Sequence, residues 1–154
     1  LLFDKENNFI LETEHGPRGG DEINLIDVNK INKNLLLNYG WAMASAGEHY
    51  KITDEKIKKY PLYKSHKDHG FIEPLKSYVP SIGISEIVKI GKNHYVHSSL
   101  KDKSLYFFNL NEEKEIVNLY RVEVLERVRD LKFKNNKLYL FLEDTASIGI
   151  INLN

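Results

Sequence analysis

Residues 14–26 combine amino-acid types that could bind a cation. Between two apolar runs, residues 9–13 and 23–26, lie three glycines, a proline, a histidine, an arginine and three carboxylates. Glycine allows backbone conformations that a Cβ forbids, and proline fixes φ and removes a donor, so such a loop can turn its oxygens toward a ligand. Ca²⁺ readily takes mixed carboxylate and carbonyl ligands. A tight polar loop that simply joins two strands explains the same composition.

A second chemical feature is the pair Arg127 and Arg129. In a strand, residues two apart point to the same face, with Cα atoms roughly 6.5–7 Å apart. Two guanidiniums on one face offer planar donor forks for carboxylates, which makes an anion clamp. The alternative is a solvated strand face on which the arginines pair with Glu123, Glu126 or Asp130.

Most of the elements that position these residues are predicted to be short strands. Residues 1–3 and 8–13 flank a turn rich in Asp and Asn, and residues 23–28 follow the glycine-rich loop. From Ser81 onward, alternation and hairpin-type connections predict seven further strands, at residues 85–90, 93–98, 104–110, 115–124, 128–134, 137–143 and 147–152. Evenly spaced short strands predict an all-β sandwich, barrel or propeller, and periodicity does not choose among these.

The middle of the chain is less regular. Residues 50–60 are predicted to form a short surface helix with Thr53 as its N-cap. Residues 60–80 contain three prolines and little periodicity, which predicts a long surface loop of the kind that often carries function. We expect Trp41 to pack beneath the glycine-rich loop.

Composition excludes several classes of protein. The 154 residues suffice for one domain with a real core, and 22 basic against 22 acidic residues give no net charge. Neither a basic, aromatic-interleaved patch for nucleic acid nor an apolar run long enough to span a membrane is present in the sequence. The lack of cysteine excludes disulfides and thiolate chemistry. The chain begins with Leu inside a strand-like run, which we interpret as a piece of a longer polypeptide.

The other histidines do not predict a metal site. His66 and His69 lie in a lysine-rich loop, and His94 and His97 are three apart in a strand, so they should face opposite ways. Nor does a Ser-His-Asp set or a phosphate-binding loop stand out.

Several motifs together carry a family resemblance. The sequence HGPRGGDEINLI followed by NYGW resembles the signature of the soluble glucose/sorbosone dehydrogenase family, which includes the aldose sugar dehydrogenases. The similarity continues in family order through GEHY, PSIGIS, SLKDK and RVRD. Two departures are Ala42, where the family commonly has proline, and a longer connection before Tyr39.

The resemblance implies a fold and a cofactor. The family consists of six-bladed β-propeller enzymes that use pyrroloquinoline quinone (PQQ), a planar quinone with three carboxylates, together with calcium. Residues 1–154 would then be roughly the C-terminal half of one propeller domain, built from four-stranded antiparallel blades. The positions that match cofactor-binding residues are His15, Asp21, Ser81, Lys101, Arg127 and Arg129. The positions that match calcium ligands are the Gly16 and Pro17 carbonyls for an ion on the quinone, and Glu22 with the Tyr39 carbonyl for a structural ion.

Each assignment has a plainer alternative. Without the resemblance, Lys101 is an exposed turn lysine, Ser81 a turn hydroxyl and Glu22 a strand-end carboxylate. The family histidine that accepts the substrate proton lies in an earlier blade, and no histidine here matches it, so we expect this piece to be inactive alone. We therefore predict part of a periplasmic or secreted dehydrogenase that oxidises aldoses or related aldehydes and alcohols and passes electrons to an unidentified acceptor. A non-catalytic, calcium-binding propeller that serves as an interaction module is the alternative.

Overall fold

The computed structural model describes residues 1–31, 36–51 and 53–153 of the chain. Within these ranges it contains eleven strands and one α-helix. The strands are β1 (Leu2–Asp4), β2 (Phe9–Glu14), β3 (Asp21–Asp27), β4 (Lys76–Tyr78), β5 (Ile84–Gly91), β6 (His94–Ser99), β7 (Ser104–Leu110), β8 (Ile116–Glu123), β9 (Val128–Lys134), β10 (Lys137–Leu142) and β11 (Ser147–Asn152), and the helix is α1 (Asp54–Lys59). Two short 3-10 helices lie at Val28–Lys30 and Lys67–His69.

The strands form three antiparallel sheets with the orders β1-β2-β3-β4, β5-β6-β7-β8 and β11-β10-β9. Within the sheets, hairpin turns that connect consecutive strands contain residues with positive φ. Asn135 and Asn136, at φ 52° and 55°, join β9 to β10 in the two-residue form that matches the twist of paired strands. The predicted all-β class is therefore confirmed, with two four-stranded sheets and, among the described residues, a last sheet of three strands.

The chain divides into two compact units. One comprises residues 1–2 and 83–153, here called the C-terminal unit, and the other comprises Phe3–Ile82, here called the N-terminal unit. In the C-terminal unit, alternate residues of two sheets meet in one core formed by Val96, Leu105, Phe107, Val128, Leu131, Leu138 and Leu140. The Ser85 hydroxyl also donates to the Val128 carbonyl at 2.7 Å, which fixes β5 against β9.

The N-terminal unit packs around β3. Phe9, Leu11 and Ile23 are almost completely buried, as are the neighbouring polar residues Asp21 and Glu22. Because buried polar groups must find partners, this strand end is where a binding site is expected.

Helix α1 forms as predicted. Thr53 Oγ1 accepts from Lys56 N at 3.4 Å as the N-cap, and no residue of the helix is buried. The predicted loop at residues 60–80 contains one strand that the pattern did not show, β4, which pairs with β3. Trp41 does not pack beneath the loop, because its side chain is 61% exposed. Residues 32–35 of the long connection before Tyr39 lie outside the described residues.

Candidate functional site

Asp21 holds the glycine-rich loop that joins β2 to β3. Its side chain is fully buried, and its Oδ1 accepts from Gly16 N at 3.2 Å and from Ser81 Oγ at 2.6 Å. The structure therefore brings Ser81, sixty residues further along the chain, to the loop that contains Gly16 and Asp21. His15 is exposed next to this anchor, and Pro17 is half-buried.

Close backbone packing fixes the other side of the same loop. A Cβ on Gly47 would lie 2.2 Å from Gly19 O, and a Cβ on Gly20, whose φ is +74°, would lie 2.5 Å from Gly47 N. Arg18 and Glu48 exchange backbone hydrogen bonds of 3.0 and 2.9 Å beside this contact. Only glycines allow two backbone segments to approach in this way, so the loop geometry is set before any ligand binds.

Glu22 lies in a buried polar cluster that can hold a cation. Its side chain is 3% exposed, and β-sheet pairing places it opposite Glu14. Burial, with Glu14 as the second cause, raises the pKa of Glu22 to about 7, and burial likewise raises the pKa of Glu14. Burial and repulsion by neighbouring carboxylates therefore penalise the charged forms of both carboxyl groups, and a bound cation would offset that penalty.

Buried atoms without hydrogen-bond partners also favour cation binding by this cluster. Among the described residues, the buried side-chain atoms without a hydrogen-bond partner are Glu22 Oε1, Asn24 Oδ1 and His66 Nε2. His66 is buried, with Nε2 3.7 Å from Glu22 Oε1 and Nδ1 3.4 Å from Glu73 Oε2. An unpaired buried carboxylate oxygen beside an unpaired amide oxygen matches the ligand preference of calcium, so Glu22 fits its expected role. Within the described ranges, no three His, Asp or Glu side chains form a metal site by themselves, so carbonyl, amide or water oxygens would complete it.

Tyr39, the other expected ligand of this ion, is positioned through its side chain. Its hydroxyl donates to the Leu25 carbonyl at 2.8 Å, which ties the residue to β3. Burial raises the pKa of Tyr39, so the phenol stays protonated at neutral pH and keeps this hydrogen bond. The residue therefore lies beside the strand that carries Glu22.

The C-terminal unit carries the expected anion-binding residues. Arg127 and Arg129 flank the fully buried Val128, and one carboxylate bridges them: Glu143 Oε1 accepts from Arg127 Nε at 3.1 Å, and Oε2 accepts from Arg129 Nη2. The prediction that the two guanidiniums share a face is thus confirmed. Their partner is Glu143, which lies next to the opposite strand, rather than Glu123, Glu126 or Asp130.

Lys101 lies exposed in the connection between β6 and β7, and this connection reaches the arginines through a second carboxylate. Asp144 Oδ2 accepts from Lys103 Nζ at 2.7 Å and from Arg127 N at 3.4 Å. Gly83, at φ +64°, packs against the Lys101 backbone, where a Cβ would lie 2.9 Å from Lys101 N. The backbone around Lys101 is therefore fixed even though its side chain is exposed.

Asp102 anchors the same connection from its other side. Its Oδ2 accepts from Arg121 Nε and from the Tyr106 hydroxyl, both at 2.6 Å. Although burial opposes it, hydrogen bonding from Arg121, Tyr106 and Ser104 holds the pKa of Asp102 below its usual value. This carboxylate thus stays ionised and holds Arg121 beside the connection.

Sequence reasoning did not identify three residues of these sites. Asn24 follows Glu22 by two positions in β3, so strand alternation alone could have placed both on one face. His66 and Glu143 carried no such signal, because their partners lie 44 residues and 14 or 16 residues away in the chain.

Comparisons with known proteins agree with this architecture. A sequence profile of the family described as Glucose / Sorbosone dehydrogenase matches residues 1–152. The chain is 29% identical over 139 residues to an uncharacterized Synechocystis protein, slr1608, covering 86% of this chain and 31% of that protein. It is also 29% identical over 150 residues to the aldose sugar dehydrogenase YliI of Escherichia coli, covering 92% of this chain and 37% of that protein. The chain therefore spans about a third of the length of these relatives.

Solved structures show the same fold. A crystal structure of a glucose dehydrogenase superimposes with a TM-score of 0.75 at 25% identity, covering 99% of this chain and 43% of the other. The apo form of the soluble aldose sugar dehydrogenase of Escherichia coli superimposes with a TM-score of 0.74 at 22% identity, covering 98% and 43%. These neighbours confirm the expected fold class, an all-β partial propeller of antiparallel blades.

Proposed function

The chain belongs to the glucose/sorbosone dehydrogenase family, and on that basis we propose that it forms part of a PQQ- and calcium-dependent oxidoreductase that oxidises aldose sugars or related aldehydes and alcohols. Because the chain spans about a third of the length of these relatives, we propose the activity for the full-length protein. When bound, PQQ would supply the hydride acceptor for the sugar and calcium would supply a Lewis acid, and the residues named below would hold both groups.

The observation that carries this proposal is the cationic edge of the C-terminal unit. Arg127 and Arg129 lie on one face, and Asp144 ties the connection that carries Lys101 and Lys103 to the backbone of Arg127. A ligand with three carboxylates needs several fixed donors close together, and guanidiniums bind carboxylates in defined geometry. In this proposal Arg127, Arg129 and Lys101 hold the cofactor's carboxylates.

The N-terminal unit contributes the remaining cofactor and metal contacts in this proposal. The Gly16 and Pro17 carbonyls bind one calcium ion, and Glu22 with the Tyr39 carbonyl binds a second. The unpaired Glu22 Oε1 and the Asp21-held conformation of Gly16 support these assignments. Ser81 gives its only hydroxyl proton to Asp21, so toward a ligand it acts as a hydrogen-bond acceptor. His15 and Asp21 are the other cofactor-binding residues of this unit in the proposal.

No residue of this chain is assigned as the catalytic base. The proton acceptor, the electron acceptor and the loops that select the sugar are left to the rest of the full-length protein. We place that protein in the periplasm or outside the cell, in line with its family. Among the described residues, no helix is long and apolar enough to cross a membrane.

The experiment that tests this function is a titration of the full-length protein with PQQ in excess calcium, followed by addition of aldoses. We expect the quinone absorbance to change on binding and again on reduction by the sugar. The double variant Arg127→Gln/Arg129→Gln should bind PQQ at least tenfold more weakly, whereas Lys134→Gln, farther along β9, should bind normally. If the wild-type protein bound no PQQ, the cofactor assignment would be wrong.

One observation favours a second candidate function. Glu143 already binds both arginines, so these guanidiniums have a partner within the chain. Among the described residues, Glu22 Oε1 has no hydrogen-bond partner. A calcium-binding propeller that serves as an interaction module would show this combination. Calcium binding without PQQ binding in the same titration would select this candidate.

A further inference from the structure

The structure assigns Glu143 a role that the family resemblance does not provide: we propose that its carboxylate is a built-in competitor for the arginine pair and sets the affinity of that pair for carboxylate ligands. This inference rests on the proposed cofactor-binding role of Arg127 and Arg129. It concerns a charged side chain at the start of the β10–β11 connection, where the sequence predicted no functional residue.

The first argument is geometric. Glu143 N donates to the Arg127 carbonyl at 2.9 Å, so the backbone holds Glu143 directly opposite the arginine. From this position each of its carboxylate oxygens accepts from a different guanidinium, Oε1 from Arg127 and Oε2 from Arg129. One residue therefore occupies the space between the two donor forks, which is where a ligand carboxylate would bind both.

The second argument concerns how readily the contact opens. The side chains of Arg127, Arg129 and Glu143 are 37%, 56% and 37% exposed. Ion pairs this exposed contribute little net stability, so a ligand can displace the carboxylate at small cost. Its negative charge nevertheless remains close by after displacement, because the backbone hydrogen bond to Arg127 fixes the Cα of Glu143. A bound anion is then repelled by a charge that cannot leave.

The third argument is the local charge balance. Lys103, Arg127 and Arg129 supply three positive charges, and Glu143 and Asp144 supply two negative ones. Asp144 is committed to Lys103 at 2.7 Å, so Glu143 is the carboxylate directly on the arginines. Removing the Glu143 charge would double the net positive charge of this set from one to two. The edge would become a stronger anion site without any change in the arginines themselves.

The test compares PQQ binding by the full-length wild-type protein with that of Glu143→Gln in the presence of calcium. Glutamine keeps the size and one acceptor oxygen but removes the charge. We expect about tenfold tighter binding, equivalent to about 1.4 kcal/mol, and a gain that shrinks as salt is raised, because the effect is electrostatic. A purely structural effect would not depend on salt in this way.

The matched control is Glu126→Gln. Glu126 lies next to Arg127 in sequence, but its Oε2 accepts from the Thr145 hydroxyl at 2.8 Å rather than from an arginine. Its substitution removes a nearby charge without opening the arginine pair, and we expect less than a threefold change. A comparable gain in both variants would overturn the specific role of Glu143.

The remaining outcomes separate this inference from the proposed function. Equal PQQ affinity in the wild type and in Glu143→Gln would overturn the inference and leave the cofactor assignment intact. Weaker binding by Glu143→Gln would also overturn it, because Glu143 would then orient the arginines for the ligand. Absence of PQQ binding by every variant would overturn both.

Discussion

At the scale of single residues, β3 shows why a buried strand can begin with two acids. Asp21 and Glu22 are adjacent and both almost completely buried, yet they point to opposite faces and meet different needs. Asp21 is satisfied by Gly16 N and Ser81 Oγ, whereas Glu22 retains an unpaired oxygen. The first carboxylate thus serves the structure of the loop, and the second is available to a ligand.

Replacing Asp21 should therefore destabilise the N-terminal unit. Asp21→Asn keeps the shape but removes the charge that strengthens two buried hydrogen bonds, so we expect a loss of about 1–3 kcal/mol in the free energy of unfolding. Urea denaturation of the full-length protein measures this. Asp68→Asn, at an exposed position, should stay within about 0.5 kcal/mol of wild type. Equal effects of the two substitutions would contradict the anchoring role of Asp21.

A second residue-scale prediction concerns His97. This side chain is fully buried, and its ring stacks on Tyr106 at a centroid distance of 4.8 Å. Burial lowers the pKa of His97 to about 4. The unfolded chain therefore binds a proton that the folded chain rejects between about pH 6.5 and pH 4. Stability should be complete above about pH 6.5 and should fall as the pH drops toward 4.

His97→Phe should remove this part of the pH dependence. Between pH 7.5 and pH 4.5 we expect the variant to lose about 2–3 kcal/mol less stability than wild type, measured by urea denaturation at both pH values. His94→Gln changes an exposed histidine of the same strand and should leave the wild-type pH dependence nearly unaltered. If His97→Phe showed the wild-type drop, the imidazole would not be rejecting a proton in the folded state.

At the scale of elements, the glycine-rich loop is shaped by backbone contact rather than by side chains. Gly19 and Gly20 lie against Gly47, and the antiparallel pair formed by Arg18 and Glu48 continues that contact. Two connecting segments thereby act as one rigid element. The Gly16 and Pro17 carbonyls are presented from this element, so its geometry determines any metal site they form.

Gly47→Ala should consequently be one of the more damaging small substitutions. The added methyl would lie 2.2 Å from Gly19 O, and because the opposing atom is backbone, the whole loop must shift. We expect a loss of roughly 1–3 kcal/mol in unfolding free energy, measured by urea denaturation. Gly149→Ala is the control, since its nearest contact would be an ordinary 3.5 Å, and it should cost less than about 1 kcal/mol.

Most of the elements could be predicted from sequence for a simple reason. Strands such as β9 and β10 bury one face, so alternation fixes their position, and turn residues such as Asn135 and Asn136 mark the hairpins. β4 was missed because a three-residue strand between prolines shows no periodicity. The partners of Glu22 and of the arginine pair were missed because side-chain contacts across the chain, such as that of His66, depend on tertiary packing.

At the scale of the whole molecule, the predicted sites divide between two compact units. The proposed calcium ligands Gly16, Pro17 and Glu22 lie in the N-terminal unit, and Lys101 lies with the arginine pair in the C-terminal unit. Each unit has its own buried residues, so each set of ligands is supported by local packing. Loss of a metal should therefore be detected first as a change in stability rather than in secondary structure.

Calcium removal provides the test at this scale. A ligand that binds only the folded state stabilises it by about 2.7 kcal/mol at one hundred times its dissociation constant, so chelation should lower the Tm of the full-length protein. Glu22→Gln should lose most of the response to added calcium, because it removes the charged oxygen that lacks a partner. Glu55→Gln, in the exposed helix α1, should respond like wild type. An undiminished response in Glu22→Gln would place the stabilising ion elsewhere.

Helix α1 also determines how the protein should behave toward proteases. None of its residues is buried, and it carries Lys56, Lys58 and Lys59, so trypsin should cleave the native chain there before it reaches lysines within paired strands. The two fragments should nevertheless stay associated. The Ser45 N–H donates a hydrogen bond to the Tyr63 carbonyl across the cleavage site, and β4 remains paired with β3. Peptide mapping should reveal a nick at this helix while size-exclusion chromatography still shows a single particle.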